Sequence, residues 1–202
     1  GTVFEVLYED LYTYDGKFIV SESVSYSKAN LINKQDVEMY KFYLSENEYG
    51  YFDLKGNSIK KSLMRTPIDG ARLSSRFGTR IHPILGYTKM HKGIDFAAKR
   101  GTPVYAAGDG IIERANTYGG YGKYIRIKHN SEYKTAYAHL SNIKKGVIKG
   151  KYVKQGSTIG FVGTTGRSTG PHLHYEIIYK NRQVDPYKLK LPDGKKLSKP
   201  KM

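Results

Sequence analysis

The segment Pro171-His172-Leu173-His174-Tyr175-Glu176-Ile177 places two imidazoles and a carboxylate at alternate positions. Alternation of this kind reads as a strand, on which successive side chains point to opposite faces. His172, His174 and Glu176 then share one face, and Leu173, Tyr175 and Ile177 the other. Two neighbouring imidazoles fill an apolar core poorly, but they suit binding a metal and placing a base beside it. His91 and Asp95 form a second pair, separated by Lys92-Gly93-Ile94. An i to i+4 pair falls on one face of an extended segment, and Gly93 lets the backbone bend to bring both side chains to one point. One His, one Asp and one further His make a three-ligand zinc set with a fourth position for water, the mark of a catalytic site.

Each element is common by itself. His-x-His also reads as two surface histidines on an edge strand, and His139, after Ala136-Tyr137-Ala138, as an ordinary half-buried histidine. Their joint occurrence in one chain points to a metal site. Of the other histidines, His129 reads as a strand-end surface residue, and His82, before Pro83, as part of a loop that lines a cleft. Glu176 either supports His174 from behind or faces solvent, and it stays outside the catalytic set. Tyr87, Tyr118, Tyr121 and Gly119-Gly120 are candidates for the walls of a substrate groove, and equally for ordinary packing.

The elements around these residues read as β. Val104–Ala107, Gly110–Ala115, Tyr124–His129, Thr135–His139 and Thr158–Val162 are five short alternating runs separated by turns, with no amphipathic helix longer than two turns between them. The expected fold class is mainly β: an antiparallel sheet domain over residues 66–187, preceded by a small β-rich domain over residues 1–65. The latter has strands at Thr2–Tyr8 and Phe18–Tyr26 around an Asp15-Gly16 turn. Met64-Arg65-Thr66-Pro67 marks the boundary. Residues 188–202, rich in lysine, read as a flexible basic tail.

The 202 residues contain no cysteine, which excludes disulfides and thiolate ligands and leaves His and carboxylate for any metal. The net charge of +16 calls for an anionic neighbour. The lysines are scattered and no nucleic-acid motif occurs, and anionic wall polymers or membrane surfaces account for the charge as well as nucleic acid does. No apolar run reaches the length of a membrane span. The chain begins at Gly1, as a processed or truncated piece would, and that leaves room for an anchor upstream.

His91-Lys92-Gly93-Ile94-Asp95, Tyr137-Ala138-His139-Leu140 and the run from Gly163 to Glu176 (GTTGRSTGPHLHYE) together resemble the three signature segments of the lysostaphin-type zinc metallopeptidases. The likeness also takes in Ser75–Pro83 and the turn from Val153 to Gly163. It implies one Zn2+ held by His91, Asp95 and His174, with His139 and His172 as the catalytic pair, either of which could be the general base. The implied activity is D,D-endopeptidase cleavage of peptidoglycan cross-links, with D,D-carboxypeptidase trimming as a further activity. The implied partners are peptidoglycan stem peptides, the implied place is the periplasm or cell envelope, and a monomer is expected. Residues 1–65 resemble the accessory domain of Gram-negative cell-shape-determining peptidases, a candidate lid over the site. The alternative is a non-catalytic wall-binding or amidase-activating module of the same fold.

Overall fold

The computed structural model describes residues 3–30, 36–46, 48–81, 88–194 and 196–197. Contacts divide the chain into one unit of Gly1–Ser62 with Leu191–Met202, and a second of Leu63–Lys190. In the first, β1 (Val3–Tyr12), β2 (Phe18–Asn30), β3 (Val37–Ser45) and β4 (Glu48–Phe52) form an antiparallel sheet in chain order. Thr13 and Asp15 close the β1–β2 turn around Gly16, whose φ of 82° is open to glycine and strained for other residues. Alternate residues on both faces of β1, Val6 and Leu7 alike, are exposed.

Where described, the basic tail makes backbone pairings within the first unit. Ser62 N–H donates to the Pro192 carbonyl at 3.2 Å, and Leu197 N–H to the Gly56 carbonyl at 2.8 Å. Asn57 and Lys196 form a β-bridge. Backbone pairing is indifferent to side-chain charge when lysines can point outward, so a lysine-rich composition does not by itself prevent it.

The second unit holds β5 (Arg72–Ser75), β6 (Gly78–Ile81), β7 (Thr88–His91), β8 (Ile94–Ala97), β9 (Pro103–Tyr105), β10 (Gly110–Thr117), β11 (Lys123–Lys128), β12 (Tyr133–Ile143), β13 (Tyr152–Val153), β14 (Thr158–Val162), β15 (His172–Tyr179) and β16 (Arg182–Val184). Ten of these form one sheet with the path β13-β10-β11-β12-β15-β8-β5. In addition β14 pairs with β12 and β9, β16 pairs with β15, and β6 and β7 form a separate hairpin. All the pairings are antiparallel. Among the described residues the one helix is a three-residue 3-10 turn, Gly119–Tyr121, so none is long and apolar enough to cross a membrane.

Burial explains the strand sequences. Ile94 and Phe96 of β8, Ile125 and Ile127 of β11, Tyr137 of β12, and Leu173, Tyr175 and Ile177 of β15 are all buried in the core. These are the β-branched and aromatic types that pack a pleated surface. One polar chain crosses that core. Ala107 N–H donates to Tyr137 Oη at 2.8 Å, and Tyr137 lies 2.8 Å from Thr135 Oγ1, which lies 2.8 Å from His129 Nε2. His129 Nδ1–H donates to the Asp109 carbonyl at 2.7 Å. His129 is therefore a bonded, half-buried residue rather than the surface residue expected from its strand-end position, because its ring folds back under the Asp109 turn.

Candidate metal centre

Strand β15 lies between β12 and β8, and its register does most of the positioning. His174 pairs with Asp95 on β8 and with Ala138 on β12, next to His139. Leu173, Tyr175 and Ile177 enter the apolar core, while His172 and His174 line a cleft of about 590 Å³ shared with His91, Asp95 and His139. The HLHYE alternation thus separates a packing face from a chemical face on a single strand.

Three donor atoms converge in the cleft. His174 Nδ1 is 2.8 Å from Asp95 Oδ1, His91 Nε2 is 3.1 Å from the same oxygen, and the two ring nitrogens are 3.1 Å apart. Asp95 and His174 are each 7% exposed. The far nitrogen of each imidazole is already committed. His91 Nδ1–H donates to the Arg76 carbonyl at 2.7 Å, and His174 Nε2–H donates to Glu176 Oε1 at 3.0 Å. In the neutral rings the facing nitrogens then carry lone pairs, aimed with a carboxylate oxygen at one point. A single proton can bridge only two of the three atoms, whereas a cation at their centre satisfies all of them.

Tetrahedral zinc with ligands at about 2.0–2.2 Å sets those ligands about 3.3 Å apart, slightly more than the spacings seen here. His91, Asp95 and His174 also form a group capable of holding a metal among the described residues. The set therefore fits one zinc ion, with a coordination position left toward the cleft. The electrostatics agree. Burial opposes a charge on Asp95, but bonds from His174 and His91 outweigh it and hold the carboxyl well below its usual range. Burial likewise opposes a charge on His174, yet Asp95 and Glu176 push its pKa up to about 9. The pocket is built to hold positive charge.

Gly93 makes this closeness achievable. A Cβ at that position would overlap the Tyr175 carbonyl and sit 2.9 Å from the His174 ring. Its backbone is not in the left-handed region, so the requirement is for space and not for the bend expected from its conformational freedom.

Two more imidazoles border the donor set. The His139 and His172 rings lie 4.8 Å apart, and His139 lies 5.9 Å from His174. His139 Nδ1–H donates to the Thr165 carbonyl and His172 Nδ1–H to the Gly170 carbonyl, both at 2.8 Å. In each neutral ring Nε2 is therefore left as a proton acceptor. Burial pushes the pKa of His139 down to about 4, against the opposing bond to Thr165, so that ring is neutral at physiological pH. His139 adopts φ 59°, unusual for a residue other than glycine. It sits where β12 leaves β15 after Ala138 and takes up β14 from Leu140.

Gly120 and Tyr121 line the cleft, and Tyr118 stacks on Tyr121 with 4° between the rings. Tyr87 and His82 lie outside the described residues. Thr165 falls in the GTTGRSTG signature run, but the sequence showed no sign of its role: its carbonyl orients His139 and its Oγ1 accepts from Lys123 N–H at 2.9 Å. A backbone oxygen carries no mark in a sequence, and this threonine joins two loops far apart in the chain.

The sequence model of peptidase family M23 matches residues 89–186. The chain is 38% identical over 199 residues to the peptidoglycan DD-endopeptidase ShyC of Vibrio cholerae, covering 98% of this chain and 44% of that protein. A crystal structure of a zinc containing peptidase from Vibrio cholerae aligns with a TM-score of 0.61 at 38% identity, over 95% of this chain and 57% of that one. The catalytic domain of lysostaphin from Staphylococcus simulans aligns with a TM-score of 0.53 at 34% identity, over 59% of this chain and 91% of that one. The chain thus spans less than half the length of its curated relative ShyC.

Proposed function

The chain belongs to peptidase family M23, and from that premise we propose that it hydrolyses peptide cross-links of bacterial peptidoglycan as a zinc-dependent D,D-endopeptidase. The observation that carries the reading is the convergence of His91, Asp95 and His174 on one point, with the proton-accepting nitrogens of His139 and His172 in the same cleft. ShyC, a peptidoglycan DD-endopeptidase by name, supports the substrate.

In this proposal His91 Nε2, Asp95 Oδ1 and His174 Nδ1 hold the ion. Zinc, when bound, supplies Lewis acidity toward a peptide carbonyl and lowers the pKa of a water. The chain supplies the proton traffic. His139 is neutral and oriented by Thr165, so it suits taking a proton from the attacking water. His139 would then return that proton to the leaving amine, while His172, its Nδ1–H bonded to Gly170, would stabilise the developing oxyanion through Nε2 in its protonated form. The fixed tautomers matter because an imidazole with its Nδ1–H already bonded presents a single defined nitrogen to the reaction. The protein acts in the cell envelope, with the periplasm as the proposed compartment and stem peptides as the substrate.

The test is muropeptide release from purified peptidoglycan, comparing the zinc-loaded chain with His172→Ala and His174→Ala. Conversion of cross-linked dimers to monomers by the unmodified protein alone is the expected result, and the new ends identify the bond. Wall binding without any release would overturn the peptidase reading in favour of a binding module.

A further inference from the structure

The carboxylate behind His174 is itself held in place. Glu176 is 1% exposed, and its Oε1 accepts from His174 Nε2–H at 3.0 Å and from the Tyr121 hydroxyl at 2.9 Å. Its Oε2 faces Gln183 Nε2 on β16 at 3.4 Å. A buried carboxylate is costly unless donors satisfy it, and the short bonds all fall on the oxygen that holds the imidazole. A carboxylate bonded to the far nitrogen of a ligating histidine fixes the tautomer, orients the ring and makes the ligating nitrogen a better donor.

We infer that Tyr121 is a positioning residue of the metal centre, acting through Glu176 on His174. Two observations besides the hydrogen bond support this. The Tyr121 ring lies against the His174 ring, with centroids 5.8 Å apart, and is held on its other sides by Tyr118 at 5.9 Å and Tyr124 at 5.2 Å. The loop that carries it is pinned: Arg167 N–H donates to the Gly120 carbonyl at 2.8 Å, and a Cβ on Gly122 would overlap Thr165. The same Thr165 orients His139, so one loop contact sets both the metal's support and a neighbouring imidazole. Because the hydroxyl is committed to Glu176, Tyr121 contributes to metal binding and not only to the wall of a groove.

The inference rests on His91, Asp95 and His174 holding zinc, and not on which peptide is cut. The experiment is a zinc dissociation constant, measured on the full chain by competition with a chromophoric chelator, for the unmodified protein, Tyr121→Phe, Glu176→Gln, the double variant and Tyr118→Phe. Glu176→Gln is expected to weaken zinc about 10- to 100-fold. Tyr121→Phe, one step further from the ion, is expected to weaken it about 3- to 10-fold and to add nothing in the Glu176→Gln background, since coupled residues are not additive. Tyr118→Phe, which keeps the stacked ring, stays within about twofold. A Tyr121→Phe constant within twofold of the unmodified protein, or an equal loss in both backgrounds, overturns the inference. An unmodified chain that binds no zinc overturns it together with the metal reading. Should Glu176→Gln not fold, the visible spectrum of Co2+-loaded Tyr121→Phe decides: shifted ligand-field bands support the inference and unchanged bands overturn it.

Discussion

His174 and Asp95 are direct cross-strand neighbours in the β15–β8 register, and their facing atoms, Nδ1 and Oδ1, stand 2.8 Å apart. Seventy-nine residues of sequence separate them, so the sheet and not the chain makes them a pair. Removing either member should remove the metal. For Asp95→Asn and His174→Ala, zinc content measured after desalting is expected to fall from about one per chain to near zero, with affinity down more than about 100-fold. For the unmodified protein, free zinc at 100 times its dissociation constant should raise the unfolding free energy by about 2.7 kcal/mol, and chelation should reverse this.

The bordering imidazoles should separate from the ligands in the same assay. His139→Ala and His172→Ala are expected to keep zinc within about twofold and to lose about 10²- to 10⁴-fold in kcat, the usual contribution of a positioned acid or base. Loss of zinc along with activity would place them among the ligands instead.

Gly93→Ala tests the close approach at the metal strand. The added methyl meets the Tyr175 carbonyl and the His174 ring. Thermal unfolding of the chelated protein should show a loss of about 1–3 kcal/mol, the range for overpacking. Zinc affinity should fall with it, because the ring that must shift carries a ligand. Glycines in open turns, such as Gly101, should tolerate added volume better, although the φ of 90° there imposes its own strain.

His129, which is not among the residues lining the metal cleft, should give the fold an acid-sensitive component. Burial pushes its pKa below 6.5, against the opposing bond to the Asp109 carbonyl. The folded protein then binds this proton less readily than the unfolded chain does. The contribution to stability is complete above pH 6.5 and is lost as pH falls through the lower folded value. Melting temperatures at pH 7.5 and 5.5 should therefore drop less for His129→Gln than for the unmodified protein, once each is referred to its own value at pH 7.5. An equal or larger drop would mean that the ring charges freely in the folded state.

The alternation in HLHYE and the spacing in HKGID were readable because side-chain direction along an extended chain follows from covalent geometry within a few residues. So was the all-β character, since β-branched and aromatic residues between glycine turns pack a pleated sheet and little else. The resemblance also grouped His91, Asp95 and His174, but how the strands pair to bring them together lay beyond the sequence. The opposition of His174 and Asp95, the change of partner by β12 at His139, and the Tyr121–Glu176–His174 chain each join residues from separate elements, in a sheet register that burial of the opposite face selects. His129 was misread for the same reason. Composition and position state what a residue prefers, whereas a backbone carbonyl or an open strand edge supplied by a distant part of the chain decides whether that preference is satisfied.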